Sequence, residues 1–317
     1  MPTQTFSSFE AHAAAIQSVG LRATLTGKVN TPWTLSGLML PKLRAQWGHA
    51  GAGNIVEGAV IPRGALIFMP TQNAHVVQLN GRRFDPQTFG LQIAGDEGCI
   101  SSMASHRWFS VFIPDEVLAG WNATEATTLG SSSGFIRLPS NQAETFRRSV
   151  AQLGLIVDRE PEAFESAATV HGTTRKLEEL LREALCANRV ATPKLRRDSL
   201  SRSQIVHEVM DFVDQHDCEY LSVTELATAA DVSERTLRTA FQEHFGMGPV
   251  RYLKLRSLNL VHKALHNSDP SVTTVTQIAT QFGVWELGRF AQDYRLLFDE
   301  LPSETLRGGR KSASKVA

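Results

Sequence analysis

The sequence is poor in cysteine and holds no long apolar run. Its three cysteines, Cys99, Cys186 and Cys218, form neither an even disulfide framework nor a Cys-x-x-Cys metal motif. No stretch approaches the roughly 18 apolar residues that cross a bilayer, and the N-terminus lacks the basic and apolar regions of a secretory signal. These absences predict a protein of the reducing cytoplasm that has no membrane partner.

An excess of charge of one sign is also lacking. The chain carries 32 Lys and Arg against 32 Asp and Glu. From Leu200 to Ala317 there are 13 basic against 15 acidic residues, so this region lacks the overall basic excess common in nucleic-acid-binding domains. Between His244 and Ser268, however, four basic residues stand without an acid: Arg251, Lys254, Arg256 and Lys263. This stripe is a local positive surface that suits a phosphate backbone.

The common motifs of enzymes are absent as well. The sequence has no Gly-x-Ser-x-Gly elbow, no Walker loop and no dinucleotide fingerprint. The His-x-His spacing of metal-binding cupins is missing, since His49, His75 and His106 stand alone. His262 and His266 share a helix face but lack the Glu of a zinc protease motif. We predict no catalytic residue, no metal site and no cofactor, and a cupin-type enzyme fused to helices stays as the rival interpretation.

The N-terminal part does contain many short strand-like runs separated by turns. The expected elements are a capped helix from about Ser7 to Val19, strands at Leu66–Met69, His75–Leu79, Thr88–Ile93 and Trp108–Ile113, and helices at Asp115–Gly120, about Asn141 to Asp158, and Pro161–Ala187. An Asn80-Gly81 turn follows the second strand. The pattern predicts a small β-barrel or sandwich with helices. Its aromatic residues line either a pocket or a plain core: Trp33, Trp47, Phe68 and Trp108.

A polar, basic and proline-containing segment, residues 188–202, follows these elements. Such a composition is typical of a linker between domains. We therefore predict an N-terminal domain at 1–187, a linker at 188–202, a helical domain at 203–307 and a basic tail at 308–317.

The C-terminal part contains an internal repeat. Val223-Thr-Glu-Leu-Ala227 returns 52 residues later as Val275-Thr-Gln-Ile-Ala279, and Val232 returns as Val284. Later equivalences have an offset of 53 and pair Phe241 with Tyr294, Phe245 with Phe298 and Pro249 with Pro302. The second copy therefore has one extra residue. Such self-similarity predicts two copies of one supersecondary unit.

Each copy is typical of a helix, a tight turn and a second helix. Ser222-x-x-Glu225 and Thr274-x-x-Gln277 are capping boxes that mark the start of the first helix. Ser233 caps the second helix of copy one, and Gly283 supplies the turn of copy two. The buried faces of the second helices are expected to carry Leu237, Phe241 and Phe245 in copy one, and Phe290, Tyr294 and Phe298 in copy two.

Between the copies, Pro249 to His266 predicts one long helix with proline near its start. About 17 residues at a rise of 1.5 Å give a length of roughly 26 Å. A rod of that length can hold two recognition helices near the ~34 Å repeat of successive major grooves of DNA.

Together these residues resemble the DNA-binding domain of the AraC/XylS family of bacterial transcription regulators. The resemblance is carried by Leu226-Ala227 through Leu237, then Phe241-x-x-x-Phe245-Gly246-x-x-Pro249-x-x-Tyr252-Leu253-x-x-Arg256, then Ile278-Ala279-x-x-Phe282-Gly283, then Phe290-x-x-x-Tyr294-Arg295-x-x-Phe298-x-x-x-Pro302. The sequence departs from the family pattern at Val284, Asp299 and Thr305. A weaker similarity, to regulators of ethanolamine use, rests on the Trp-x-x-Gly-Arg-Phe run that ends at Phe290.

The resemblance implies that both second helices enter adjacent major grooves. The family's base-reading positions fall on Arg235, Arg238 and Thr239, and Ser233 and Thr236 complete the DNA-facing set of copy one. In copy two, the helical wheel places Trp285, Gly288, Arg289 and Gln292 opposite the buried face. Arg suits guanine and Gln suits adenine. Phosphate contacts that set register without reading sequence are expected from Arg251, Lys254, Arg256 and Arg295.

Alternatives stay open for several of these residues. Arg235 and Arg238 also fit a solvated helix surface, as do the phosphate-contact candidates. Trp285 fits a packing role, and Arg256 fits a bridge between the two subdomains.

The resemblance further implies double-stranded DNA and RNA polymerase as partners. It implies a cupin-like N-terminal domain that binds a small-molecule effector or forms a homodimer, with the effector-binding residues unassigned.

The predicted fold class is α+β, a β-barrel or sandwich with helices followed by an all-α domain of two helix-turn-helix units joined by a long helix. A pure dimerisation scaffold is a third interpretation, and it requires the DNA-facing arginines to be idle. The effector, the operator and the sign of regulation are open.

Overall fold

The computed structural model describes residues 1–121, 133–187, 197–216 and 221–313. Contacts divide the chain into two units. The first comprises Met1–Ala23, Asn30–Gly51 and Ile55–Arg196, and the second comprises Thr24–Val29, Ala52–Asn54 and Arg197–Ala317. Among the described helices, none is long and apolar enough to cross a membrane.

The strands form two sheets. They are β1 (Gln4–Phe6), β2 (Val19–Leu25), β3 (Trp33–Met39), β4 (Arg44–Ala50), β5 (Asn54–Val60), β6 (Gly64–Gln72), β7 (Val77–Leu79), β8 (Arg82–Arg83), β9 (Thr88–Ile93), β10 (Glu97–Ser102), β11 (His106–Pro114) and β12 (Gly134–Arg137). One sheet has the order β1-β3-β4-β11-β6-β9-β12, and the other has the order β2-β5-β10-β7-β8. In the larger sheet, β11 runs antiparallel to both of its neighbours, β4 and β6.

The central strand β11 shows why the sheets form. Its apolar residues occupy both faces, and those from Trp108 to Ile113 are buried. Phe109 joins a core that includes residues of the helices after the sheet. Trp108 points the other way and joins a second core with Phe68 and Phe135. This nearly continuous apolar run, which only Ser110 interrupts, therefore forms a strand covered on both faces.

Two details of the first unit differ from the predicted elements. Residues Ala74–Val76 form a turn of 3-10 helix, so only Val77–Leu79 of the predicted strand is extended. The left-handed Asn73, at φ 57°, redirects the chain just before this turn. The predicted Asn80-Gly81 turn is confirmed, since both residues have positive φ, and it joins β7 to β8.

The helices of the first unit are α1 (Phe9–Ala15), α2 (Asp115–Gly120), α3 (Ser140–Arg159) and α4 (Ala167–Ala187). α1 is shorter than predicted because Ile16 turns extended and Ser18 is left-handed. The helix predicted from Pro161 is divided, because Pro161–Glu165 is a 3-10 segment and Ser166 is extended before α4 begins.

The second unit is helical. Its helices are α5 (Arg197–Gln215), α6 (Val223–Ala229), α7 (Glu234–Phe245), α8 (Pro249–His266), α9 (Val275–Gln281), α10 (Leu287–Phe298) and α11 (Pro302–Ala313). The α8 bounds agree with the prediction from sequence. The predicted α+β fold class is confirmed, because two sheets with helices are followed by helix-turn-helix units.

The predicted domain boundaries can be set beside these elements. α5 begins at Arg197, inside the segment predicted as a linker, and residues 188–196 lie outside the described part. α11 continues to Ala313, beyond the predicted domain end at 307, and residues 314–317 of the predicted tail lie outside the described part.

Candidate nucleic-acid interface

The two helix-turn-helix units are α6–α7 and α9–α10. Both predicted capping boxes are present, with Ser222 and Thr274 each accepting from the backbone three residues later. The turns occupy equivalent positions with positive φ, 49° at Asp231 and 70° at Gly283. Glycine adopts this left-handed backbone conformation without steric cost, and aspartate is one of the few other residues that tolerate it.

The first recognition helix, α7, is fixed at both ends and along its inner face. The Ser233 side chain accepts from the Thr236 backbone N–H at 3.1 Å, and the left-handed Gly246 ends the helix. Five side chains of the helix are buried: Leu237, Ala240, Phe241, His244 and Phe245. Because Ser233 and Thr236 also bond to each other through their hydroxyls at 2.9 Å, their polar groups are already engaged at the cap.

The outer face of α7 presents the predicted reading residues. Arg235, Arg238 and Thr239 are all exposed. The Arg238 guanidinium donates to Glu234 at 2.6 Å, one helical turn away. Arg235 has no ion-pair partner among the described residues. The Thr239 hydroxyl donates to the backbone carbonyl of Arg235 at 2.9 Å. Of the three, Arg235 is therefore the side chain most open to a ligand.

Within α7, His244 is buried and uncharged at neutral pH. Desolvation by burial lowers its pKa from 6.5 to about 4, and the nearby His207 of α5 contributes to the lowering. Charging this imidazole inside the fold is unfavourable because burial removes its hydration.

The second recognition helix, α10, starts later than the helical wheel assumed. Its first residue is Leu287, and the preceding Glu286 makes no side-chain cap. Trp285 lies in the connection before the helix and is 73% exposed, so its predicted place on the helical face is wrong. The extra residue of the second copy falls here and delays the helix. Gly288, Arg289 and Gln292 are all exposed on α10, and the Arg289 guanidinium lies 3.9 Å from Glu286.

The inner face of α10 combines apolar and polar contacts. Phe290, Tyr294 and Leu297 are buried. Phe298 is only partly buried and stacks on His262, with ring centroids 4.1 Å apart. The Tyr294 hydroxyl bonds to the Thr305 hydroxyl at 2.7 Å, so the departure from the family pattern at Thr305 gives α10 a buried polar contact with α11.

The cations of α8 and α10 fall into two groups. Arg251 and Arg295 are exposed and have no ion-pair partner among the described residues. Lys254, in contrast, lies 2.6 Å from Asp293 of α10. Arg256 is 8% exposed and pairs with Asp214 of α5 at 2.7 Å, so it holds helices together inside the unit and is withdrawn from phosphate. A packing role describes Arg256 better than the phosphate contact does.

Sequence reasoning missed Asp293 altogether. The repeat carried the signal, because an offset of 53 aligns Asp293 with the fully buried Ala240 of α7. A carboxylate at the position of a core alanine calls for a cationic partner.

In the described ranges, no group of three or more His, Cys, Asp or Glu is placed to hold a metal ion.

Known proteins resemble part of this chain. A family model described as "Helix-turn-helix domain" matches residues 226–308. The XylDLEGF operon transcriptional activator 2 of Pseudomonas putida is 34% identical over 111 residues, covering 35% of this chain and 71% of that relative. The probable thc operon regulatory protein of Rhodococcus erythropolis is 37% identical over 103 residues, covering 32% of this chain but only 31% of that relative.

Among solved structures, a probable AraC family transcriptional regulator from Rhodopseudomonas palustris CGA009 is 31% identical. The match covers 33% of this chain and 97% of that chain, with a TM-score of 0.31. The relatives are named as regulators of transcription, and none of those named here is an enzyme. On the strength of the sequence identity across most of the Pseudomonas relative, this chain belongs to the AraC/XylS family of DNA-binding helix-turn-helix transcription regulators.

Proposed function

We propose that this regulator reads its operator with α7 and α10 and anchors to the phosphate backbone beside them. The observation that carries the proposal concerns the arginines of α7, α8 and α10, three of which are exposed and have no ion-pair partner among the described residues: Arg235, Arg251 and Arg295. A free guanidinium makes two hydrogen bonds to guanine in the major groove or binds a phosphate. Arg289 and Gln292 supply the corresponding reading groups on α10.

The test begins with a duplex recovered from a random library by selection with the full chain. Arg235→Ala and Arg289→Ala should each cost about 1–3 kcal/mol on this duplex and relax preference at one or two base pairs, because each removes a bidentate base contact. Arg307→Ala, on an exposed residue of α11, is the matched control and should leave preference intact. If the reader variants fold yet keep full specificity, the assigned reading faces are wrong.

We further propose that the first unit binds a small-molecule effector. Support comes from buried polar atoms without a hydrogen-bond partner in the described chain: His12 Nε2, Trp33 Nε1 and Gln46 Nε2. Burial lowers the pKa of His12 to about 4, so its ring is neutral. A buried polar atom that has no hydrogen-bond partner costs free energy of folding. A hydrogen bond to a ligand or to an ordered water recovers this free energy. The rings of His12 and Trp33 lie 5.2 Å apart, which gives this region an aromatic wall.

A screen of metabolites against the full chain tests the effector proposal. A ligand should raise the melting temperature of the natural protein and change its affinity for the selected duplex. Gln46→Leu, which removes one unmet amide, should weaken that shift. A screen in which no compound changes either quantity would count against effector binding.

A homodimer is proposed on separate grounds. Leu155 and Ile156 of α3 are 51% and 41% exposed, and a second copy of the chain can cover these two apolar side chains. Sedimentation of the full chain should give a dimer, and Leu155→Ser with Ile156→Ser should shift it toward monomer. Sedimentation of the natural protein as a monomer at every concentration would contradict the proposed homodimer.

RNA polymerase is the proposed partner in transcription. The Pseudomonas relative is named as an operon transcriptional activator and is 34% identical to this chain over 111 residues. Transcription by purified polymerase from a promoter that carries the selected duplex should rise when the chain is added. Repression or no change in transcription would contradict this proposal.

A further inference from the structure

At one position, the inner faces of the two recognition helices differ in charge. In α7 it is Ala240, which is fully buried in the core. In α10 it is Asp293, which stands at the same place in the repeat and is only partly buried. A carboxylate at a core-facing position loses hydration and needs a compensating charge. The second helix-turn-helix has therefore replaced an apolar contact with an ionic one.

Lys254 of α8 supplies that charge. Its Nζ lies 2.6 Å from Asp293 Oδ2, and the two side chains are 44% and 23% exposed. The pair joins the long helix to the second recognition helix. Since α8 is also tied to α5 through the Arg256–Asp214 pair, and α5 packs on α7, α8 is the common element on which both recognition helices are held.

The pair lies between the two reading faces. Lys254 and Asp293 both line a groove with Arg235, Arg238 and Thr239 of α7. They also line a second groove, of about 670 Å³, with Trp285 and Arg289. Both charges therefore border the surface that is proposed to face the duplex.

Electrostatics makes the pairing necessary at this place. Asp293 directly follows Gln292 and stands one helical turn after Arg289, both of which are proposed to read bases. An unpaired carboxylate there would repel the phosphates that flank the groove. Lys254 neutralises it and fixes the side of α10 next to the reading residues.

We propose that Lys254 and Asp293 form a positioning pair that sets how α10 presents Arg289 and Gln292, and that Lys254 is not a phosphate anchor. The inference rests on the proposal that α10 reads DNA. Arg251, one turn earlier on α8 and without an ion-pair partner among the described residues, serves as the anchor.

The two roles for Lys254 predict different couplings. A phosphate anchor acts on any duplex, and its loss is the same whether or not the carboxylate of Asp293 is present. A positioning partner matters because of the carboxylate opposite, so removing that carboxylate makes the lysine dispensable. A double-mutant cycle measures this coupling directly.

The experiment uses the full chain, the selected duplex and a scrambled duplex of equal length, each titrated at several salt concentrations. Lys254→Met should weaken binding to the selected duplex by about fivefold, the scale of a partly exposed ion pair. Binding to the scrambled duplex should change less, so specificity falls. Adding Asp293→Asn to Lys254→Met should restore most of the lost affinity and specificity.

Arg251→Met is the matched control, because it removes a cation from the same helix. It should weaken selected and scrambled duplexes alike and shallow the salt slope by about one ion. Circular dichroism melting checks that each variant is folded, and Asp293→Asn alone gives a milder variant should Lys254→Met unfold. Asp293→Asn alone should weaken binding to the selected duplex and leave binding to the scrambled duplex equal or tighter, so specificity falls.

The proposal is overturned if Lys254→Met shallows the salt slope equally in the natural background and in the Asp293→Asn background and the double variant shows no rescue. Arg289→Ala separates this failure from failure of the proposed reading faces. If Arg289→Ala also leaves specificity unchanged, α10 does not read bases. If Arg289→Ala lowers specificity and no rescue appears, only the positioning pair is wrong.

Discussion

The two helix-turn-helix units share a sequence pattern but hold their recognition helices differently. α7 has a side-chain cap at Ser233, five buried side chains and a glycine at its C-terminal end. α10 has no side-chain cap, three buried side chains and the left-handed Asp299 at its end. α10 buries fewer side chains than α7, and polar contacts hold it in place instead. The comparison teaches that a repeat can preserve geometry while its stabilising interactions change from apolar to ionic.

The largest effect is expected when one aromatic ring is removed from equivalent positions of the two recognition helices. Phe245 is 1% exposed and stacks on Tyr252 with ring centroids 4.4 Å apart, whereas Phe298 is partly buried. Phe245→Ala should lower the free energy of unfolding by about 3–5 kcal/mol, and Phe298→Ala by about 1–2 kcal/mol, because less apolar area is lost. Urea unfolding of the full chain, followed by far-UV circular dichroism, measures both.

The matched change Phe112→Ala in the first unit, a buried ring of β11, serves as a reference for a core residue outside both helix-turn-helix units. Equal losses from Phe245→Ala and Phe298→Ala would contradict the claim that the first helix-turn-helix unit depends more on apolar packing.

A second test uses pH, because the position of His244 in α7 is occupied by Leu297 in α10. The folded-state pKa of His244 is about 4, below the value of 6.5 expected when unfolded. The unfolded chain therefore binds a proton first, and stability present above 6.5 is lost as pH falls through that window toward 4. At about pH 5 the loss should be about 2 kcal/mol.

His244→Leu should abolish this loss and make the first helix-turn-helix unit resemble the second. His12 and His106 in the first unit, also with pKa values of about 4, add their own acid sensitivity. The informative quantity is therefore the difference between natural protein and variant at each pH. A difference that stays constant from neutral pH to about pH 4.5 would show that His244 does not contribute.

The smallest effect is expected at the turns. Asp231→Gly should raise the free energy of unfolding by about 0.5 kcal/mol, because relief of the left-handed backbone slightly outweighs the added freedom of the unfolded chain. Gly283→Asp, the reciprocal change, should cost a similar amount. Thermal melts of the two variants and of the double exchange measure this. If both changes destabilise, each turn depends on contacts specific to its own residue.

Local signals in the sequence were sufficient for much of the second unit. Capping boxes and a proline at the first position determine where helices begin, so the bounds of α8 and the starts of α6 and α9 follow from neighbouring residues alone. The start of α10 was harder, because no capping side chain precedes Leu287 and periodicity by itself does not define where a helix begins. Trp285 was misplaced for that reason.

The candidate site was predictable as a set of exposed side chains and not as a network. The family resemblance indicated Arg235, and the helical wheel indicated Arg289. They did not indicate that Lys254 meets Asp293 or that Arg256 is buried against Asp214, because those contacts join residues 39 and 42 positions apart (293 − 254 and 256 − 214). In the first unit, the unmet atoms of His12 and Gln46 likewise emerge only when distant strands and a helix are packed together.

The exposure of Trp285 has a spectroscopic consequence. The other tryptophans, Trp33, Trp47, Trp108 and Trp121, belong to the first unit, so Trp285 is the single indole fluorophore of the residues from Arg197 onward. At 73% exposure its emission reports an aqueous environment. Docking of α10 on a duplex would bring this ring near bases that quench or shift that emission. The chain thus carries an intrinsic optical probe at its second recognition helix, and Trp285→Phe provides the blank against which its signal is isolated.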